Sequence, residues 1–232
     1  MNDTTLAGNL VTSPTTAFQE LRERPRFLSV FLIVVLSTAA LVYWYYQAVD
    51  MAWLKDHLFT DNPAFKNMDD DTRARAMGNM SPNAMTYGAL ISVLIVLPIL
   101  FLLQALYFWV AGKITNVQYS FKHWFSFVAW SSLPALGATL SGVVVLLMHG
   151  SNAQMGPSEL QVFSLNELWL QLKPNEAGYQ LAISINLLSL WSWALTVIGV
   201  KCWSNRSWLF SSIFALLPSV LIYGGWAYFS LS

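Results

Sequence analysis

The chain has 232 residues, 56% of them hydrophobic and only 10% charged, and its 12 Lys and Arg balance 12 Asp and Glu. Soluble domains carry roughly a quarter charged residues, so this composition excludes one, and zero net charge removes the long-range field that would recruit nucleic acid. The single cysteine, Cys202, excludes an internal disulfide.

The first 26 residues are polar and lack a short apolar core followed by a small-residue cleavage site, so the first apolar stretch reads as a retained anchor. Ser13-Pro14 is a helix start, with Ser as N-cap and Pro at the first helical position. Phe18 and Leu21 then share one face, with Glu20, Arg22, Glu23 and Arg24 elsewhere, and Pro25 ends the helix or bends it into the membrane. Segment 1–26 is therefore expected to form a short amphipathic helix on the cytoplasmic leaflet. Arg22, Arg24 and Arg26 would contact anionic headgroups, each worth on the order of 1 kcal/mol near the surface. Ordinary positive-inside decoration accounts for the same arginines.

Five stretches, 27–49, 85–111, 124–148, 179–200 and 208–230, contain no Asp, Glu, Lys, Arg or His. At about 1.5 Å per residue each crosses a hydrocarbon core of about 30 Å. The expected fold is an all-α bundle of five transmembrane helices over residues 27–232, with outer loops 50–84 and 150–178. Aromatic residues mark the span ends, Tyr43 to Tyr46, Trp226 and Tyr228 at one face, Trp109, Trp124, Trp203 and Trp208 at the other. Trp191 and Trp193 fall near the middle of the fourth stretch, where helix packing or lipid contact accounts for them.

Charge sets the orientation. The amino-terminal segment and loops 112–123 and 201–207 carry seven basic residues against Asp3, Glu20 and Glu23, whereas the other side has five basic and nine acidic residues. The positive-inside rule then puts the amino terminus in the cytoplasm and the carboxyl terminus outside. In the outer loop, Asp69, Asp70 and Asp71 precede Thr72 to Met77 and read as the acidic start of a short helix, not as the spaced ligands of a calcium loop.

Within the spans the polar residues are few: Gln104 in the second, Ser131 and Ser132 in the third, and Asn186, Ser189, Ser192 and Thr196 in the fourth. Ala138 with Gly142, and Gly137 with Ser141, have the small-xxx-small spacing that brings helix backbones close. The simplest account is that these polar and small faces pack together. A path for a small solute along Gln104 and Asn186 is the alternative. Pro98, Pro134 and Pro218 each remove a backbone hydrogen bond and are expected to kink their helices.

Catalytic signatures are missing. His57, His123 and His149 are widely separated, and the sequence has no Gly-x-Ser-x-Gly elbow, His-Glu-x-x-His helix, cysteine cluster or glycine-rich phosphate loop. No ionisable residue lies within a span to couple ions or activate a nucleophile. No enzyme activity, cofactor or metal is expected.

Several segments in order resemble the Yip family of membrane proteins (the Ypt/Rab GTPase-interacting group), in particular its prokaryotic branch. They are Ser13-Pro14-Thr15-Thr16-Ala17-Phe18 running to Arg24-Pro25-Arg26, then Ser120-Phe121-Lys122-His123 entering a helix with Leu133-Pro134 and Gly137. Asn186-Leu187-Leu188-Ser189-Leu190-Trp191, Ile198-Gly199 and Leu217-Pro218 complete the set. The resemblance implies five helices with a cytoplasmic amino terminus. Eukaryotic members contact Rab GTPases and carry an Asp-Leu-Tyr-Gly-Pro motif; that motif is missing here, so GTPase binding is not carried over. The reading is a non-catalytic protein of the bacterial inner membrane, acting as organiser or adaptor through membrane lipids, a second copy of itself or other membrane proteins. A passive transporter or channel for a small, largely neutral solute is the alternative.

Overall fold

A computed structural model describes residues 2–61, 69, 71, 72, 75, 78 and 80–231. Its helices are α1 (Asp3–Thr12), α2 (Pro14–Glu23), α3 (Leu28–Ala48), α4 (Met51–Asp61), α5 (Pro82–Ile114), α6 (Phe121–Ser131), α7 (Ala135–His149), α8 (Tyr179–Ser184), α9 (Leu187–Ser204) and α10 (Trp208–Leu231). Among the described residues five segments are long and apolar enough to cross a membrane: Leu28–Ala48, Pro82–Ile114, Phe121–His149, Leu187–Ser204 and Trp208–Ser230. A chain in hydrocarbon must satisfy its own backbone polar groups, which is why helices supply every span.

The three prolines do not all act alike. Pro134 breaks the third span, because it has no N–H and disfavours helical geometry in Leu133 before it. The backbone instead turns through tight bonds, Leu133 N–H to the Trp130 carbonyl (3.1 Å) and Ala135 N–H to that of Ser132 (2.9 Å). Pro98 and Pro218 sit inside the continuous helices α5 and α10. Pro218 leaves the Phe214 carbonyl without its helical donor, and the Tyr107 hydroxyl of α5 donates to that carbonyl at 2.8 Å. A neighbouring helix thereby repairs the defect.

The fourth span differs from the expected 179–200. Helix α8 stops after six residues, and Asn186, in extended backbone (φ −128°, ψ 161°), restarts the chain as the cap of α9. Its side chain accepts from Ser189 N–H (2.8 Å), and its own N–H donates to the Ser189 hydroxyl (3.0 Å). The break is stabilised by a short pairing with residues 163–165, through Leu165 N–H to the Ile185 carbonyl (2.7 Å) and Leu187 N–H to that of Phe163 (2.9 Å). The membrane helix is therefore Leu187–Ser204, and it runs past Val200 to Ser204.

Helix α3 packs against α5 and α7, α5 against α6, and α9 against α2, α6, α7 and α10. Small residues set two of these contacts. A Cβ on Gly142 would come within 2.7 Å of Leu41 in α3, and one on Gly137 within 3.0 Å of Leu188 in α9. The core has two parts. At the near end, which carries the amino terminus and the loops before α6 and α10, Phe18, Phe108, Trp124, Phe127, Trp203 and Phe214 interlock. At the far end Leu41, Tyr45, Leu54, Leu146 and Met155 pack together. There the loop after α7 is strapped to the bundle: Ala153 exchanges backbone bonds with Ala48 and Asp50 (both 2.9 Å), and the Tyr45 hydroxyl donates to the Met155 carbonyl at 2.9 Å. Of the acidic run, Asp69 accepts from Thr72 N–H (2.9 Å), which holds its carboxyl below the usual carboxylate range, whereas Asp70 lies outside the described residues.

Candidate functional site

The near end is built around a helical hairpin. Ser13 and Pro14 start α2 as the sequence predicts, and a further helix, α1, precedes it with Asn2 as cap, accepting from Thr5 N–H at 2.8 Å. Leu6, Leu10, Ala17, Phe18 and Leu21 are all buried. They face protein, not lipid: the Phe18 ring lies 5.1 Å from that of Phe127, and the Trp203 indole N–H donates to the Phe18 carbonyl at 2.8 Å. Gly199 makes room, since a Cβ there would lie 2.3 Å from Phe127 Cε2 and 2.8 Å from Phe18 Cε1.

The three arginines are not equivalent. Arg26 is pulled inward, pairing with Glu20 at 2.8 Å and Asp3 at 3.5 Å. Its backbone is held by α6: the Ser126 hydroxyl donates to the Arg26 carbonyl (2.6 Å) and accepts from its N–H (3.1 Å), and the Trp130 indole donates to the same carbonyl (2.7 Å). This satisfies the backbone where Pro25 has ended the helix. Arg22 and Arg24 remain exposed, with Glu23 between them.

The intramembrane polar residues divide likewise. Ser189 is spent on capping with Asn186, and the Thr196 hydroxyl donates to the Ser192 carbonyl of its own helix at 2.7 Å. Ser131 is buried without a hydrogen-bond partner among the described residues. Gln104 faces outward from α5, away from the others. The structure does not gather Gln104, Ser131 and Asn186 into one path.

Asn186 does reach a pocket in the far half of the bundle, a cavity of about 480 Å³ between α3, α5 and α7. Thr38, Ser92, Thr139, Gln161 and Asn186 give it a neutral, mildly polar lining beside Leu41 and Tyr45. Sequence reasoning singled out Asn186 but missed Thr38, Ser92 and Thr139, because single hydroxyls on three separate helices have no spacing that links them. It also missed α1, although Asn2 as a cap and Leu6 and Leu10 four residues apart were available signals. Among the described residues, no three of His, Cys, Asp and Glu come together to hold a metal ion.

Five apolar helices without buried charge define a polytopic α-helical membrane protein. A family model described as the Yip1 domain matches residues 8–229, from within α1 to near the end of α10. The chain belongs to that family. No curated protein matches it, and no solved structure does.

Proposed function

We propose that this Yip-type protein is a non-catalytic adaptor or organiser in the bacterial inner membrane, with the amino terminus in the cytoplasm. The observation that carries the reading is the docked hairpin. Its apolar face is used up inside the bundle, so Arg22, Glu23 and Arg24 form an exposed polar ridge at the near end. Such a ridge suits anionic headgroups or a partner with complementary charge. The excess of basic residues at this end supports the orientation.

Contacts with a second copy or another membrane protein are supported by Gln104. It lies ten residues, or about 15 Å, from the near end of α5, which is mid-bilayer depth, and faces outward. An amide in hydrocarbon is stabilised by a partner on another helix, typically by about 1–2 kcal/mol.

The test uses the full chain in nanodiscs containing phosphatidylglycerol and phosphatidylcholine. Arg22→Gln with Arg24→Gln should reduce the enrichment of phosphatidylglycerol around the protein or the recovery of cross-linked partner. Unchanged enrichment and unchanged partner recovery would rule out the ridge as the contact surface.

The neutral pocket at Asn186 favours the second reading, passive passage or binding of a small uncharged solute. Under it, Asn186→Leu abolishes flux of that solute into liposomes; under the adaptor reading it leaves partner recovery unchanged.

A further inference from the structure

Helices α5 and α10 touch mainly through Tyr107, Phe108 and Phe214, and beside that bridge they part to leave a lateral groove of about 620 Å³. It runs from Thr115 and Phe210 at the near end to Leu103 and Leu217 deeper in. The stretch of α5 from Leu103 to Ile114 makes a depth of about 18 Å, close to one leaflet of a core of about 30 Å. The lining is apolar, and its two hydroxyls are already engaged, Tyr107 on the Phe214 carbonyl (2.8 Å) and Thr115 on the Ala111 carbonyl (2.8 Å). Nothing in it selects a polar solute.

The mouth is cationic. The Arg206 guanidinium donates to the Thr115 carbonyl at 2.6 Å and lies 4.7 Å from the Phe210 ring centroid, so it is fixed on two lining residues. That bond uses one of its five N–H donors. Lys201 donates to the Arg206 carbonyl, and Lys113, two residues before Thr115, sits 3.6 Å from the Trp109 ring centroid. Among the described residues none of the three has a carboxylate partner. Apolar depth of one leaflet under an unneutralised cluster of cations matches one chemical object.

We propose that the groove between α5 and α10 is a specific site for an anionic phospholipid, one acyl chain lying against Leu106, Val110 and Ile213 and the phosphate held by Arg206 with Lys113 and Lys201. The site is separate from the ridge at Arg22 and Arg24, and the two stand or fall independently.

The experiment takes the full chain from nanodiscs in which phosphatidylglycerol is the minor lipid and phosphatidylcholine the major one, releases it into mild detergent and counts retained lipids by native mass spectrometry. The parent should keep one phosphatidylglycerol. Lys113→Gln with Arg206→Gln should weaken that retention about thirtyfold, while Arg206→Lys stays within a few fold of the parent. Leu106→Trp with Ile213→Trp, which fills the groove from its lipid-exposed walls, should lose the bound lipid whatever its headgroup. Leu221→Trp, on an exposed face further along α10, should keep it. Retention in the bilayer ratio, equal retention by the groove-filled variant, or a lipid-free dimer in place of the complex would each overturn the assignment.

Discussion

Tyr107 shows how one side chain can compensate for a proline. Replacing it with Phe should leave the Phe214 carbonyl unpaired and cost about 1–2 kcal/mol in a reversible unfolding assay in detergent. The cost should largely vanish in a Pro218→Ala background, where residue 218 again supplies the helical N–H. A penalty of the same size in both backgrounds would mean that the hydroxyl acts elsewhere. Gly199 is equally confined. An added methyl would sit 2.3 Å from Phe127 Cε2, so Gly199→Ala should destabilise by about 1–3 kcal/mol, with partial recovery when Phe18→Ala opens the same space.

At the scale of elements, the hairpin α1–α2 is held by buried apolar contacts and by Arg26, whose guanidinium and backbone join α1, α2 and α6. Phe18→Ala should loosen it and speed tryptic cleavage after Arg22, whereas the spans should remain protected. Unaltered cleavage would place the main attachment of the hairpin elsewhere, at Leu6 and Leu10. The start of α2 was legible from Ser13-Pro14, but the destination of its apolar face was not. Phe18 and Leu21 satisfy the pattern of a helix lying on lipid equally well, because an amphipathic stripe says that something apolar covers it and not what. The break in the fourth span was hidden for a related reason. Between Tyr179 and Val200 hydropathy is continuous, and Asn186 reads as one more tolerated polar residue until its capping bonds with Ser189 are seen.

For the whole molecule, the five spans were legible because exclusion of charge over about 20 residues is a stronger signal than any local propensity. The polar sites were not, since Thr38, Ser92 and Thr139 meet only when three helices pack together. Orientation can be tested on a Cys202→Ser background with a membrane-impermeant maleimide. Ser151→Cys, in the far-end loop, should label in intact spheroplasts, and Gln118→Cys, in the near-end loop, only after lysis. The reverse pattern would invert the topology. Gln104→Leu should lower self-association measured by energy transfer in liposomes, by about five- to thirtyfold if a second copy supplies the amide's partner. No change would exclude a second copy as that partner.

The Trp203 indole binds the Phe18 carbonyl across 185 residues of sequence, and that separation has a consequence for biosynthesis. At roughly 5–20 residues per second, α1 and α2 are complete about 10–40 s before α9 exists to receive them. During that interval the hairpin has Phe127 on α6 but not the α9 face that completes its seat, and the leaflet surface is the nearest apolar shelter for what stays uncovered. The first helices to leave the ribosome are thus among the last to complete their native contacts. A chain arrested before residue 203 should therefore present its amino-terminal hairpin to quality-control proteases, even with its first three spans correctly inserted.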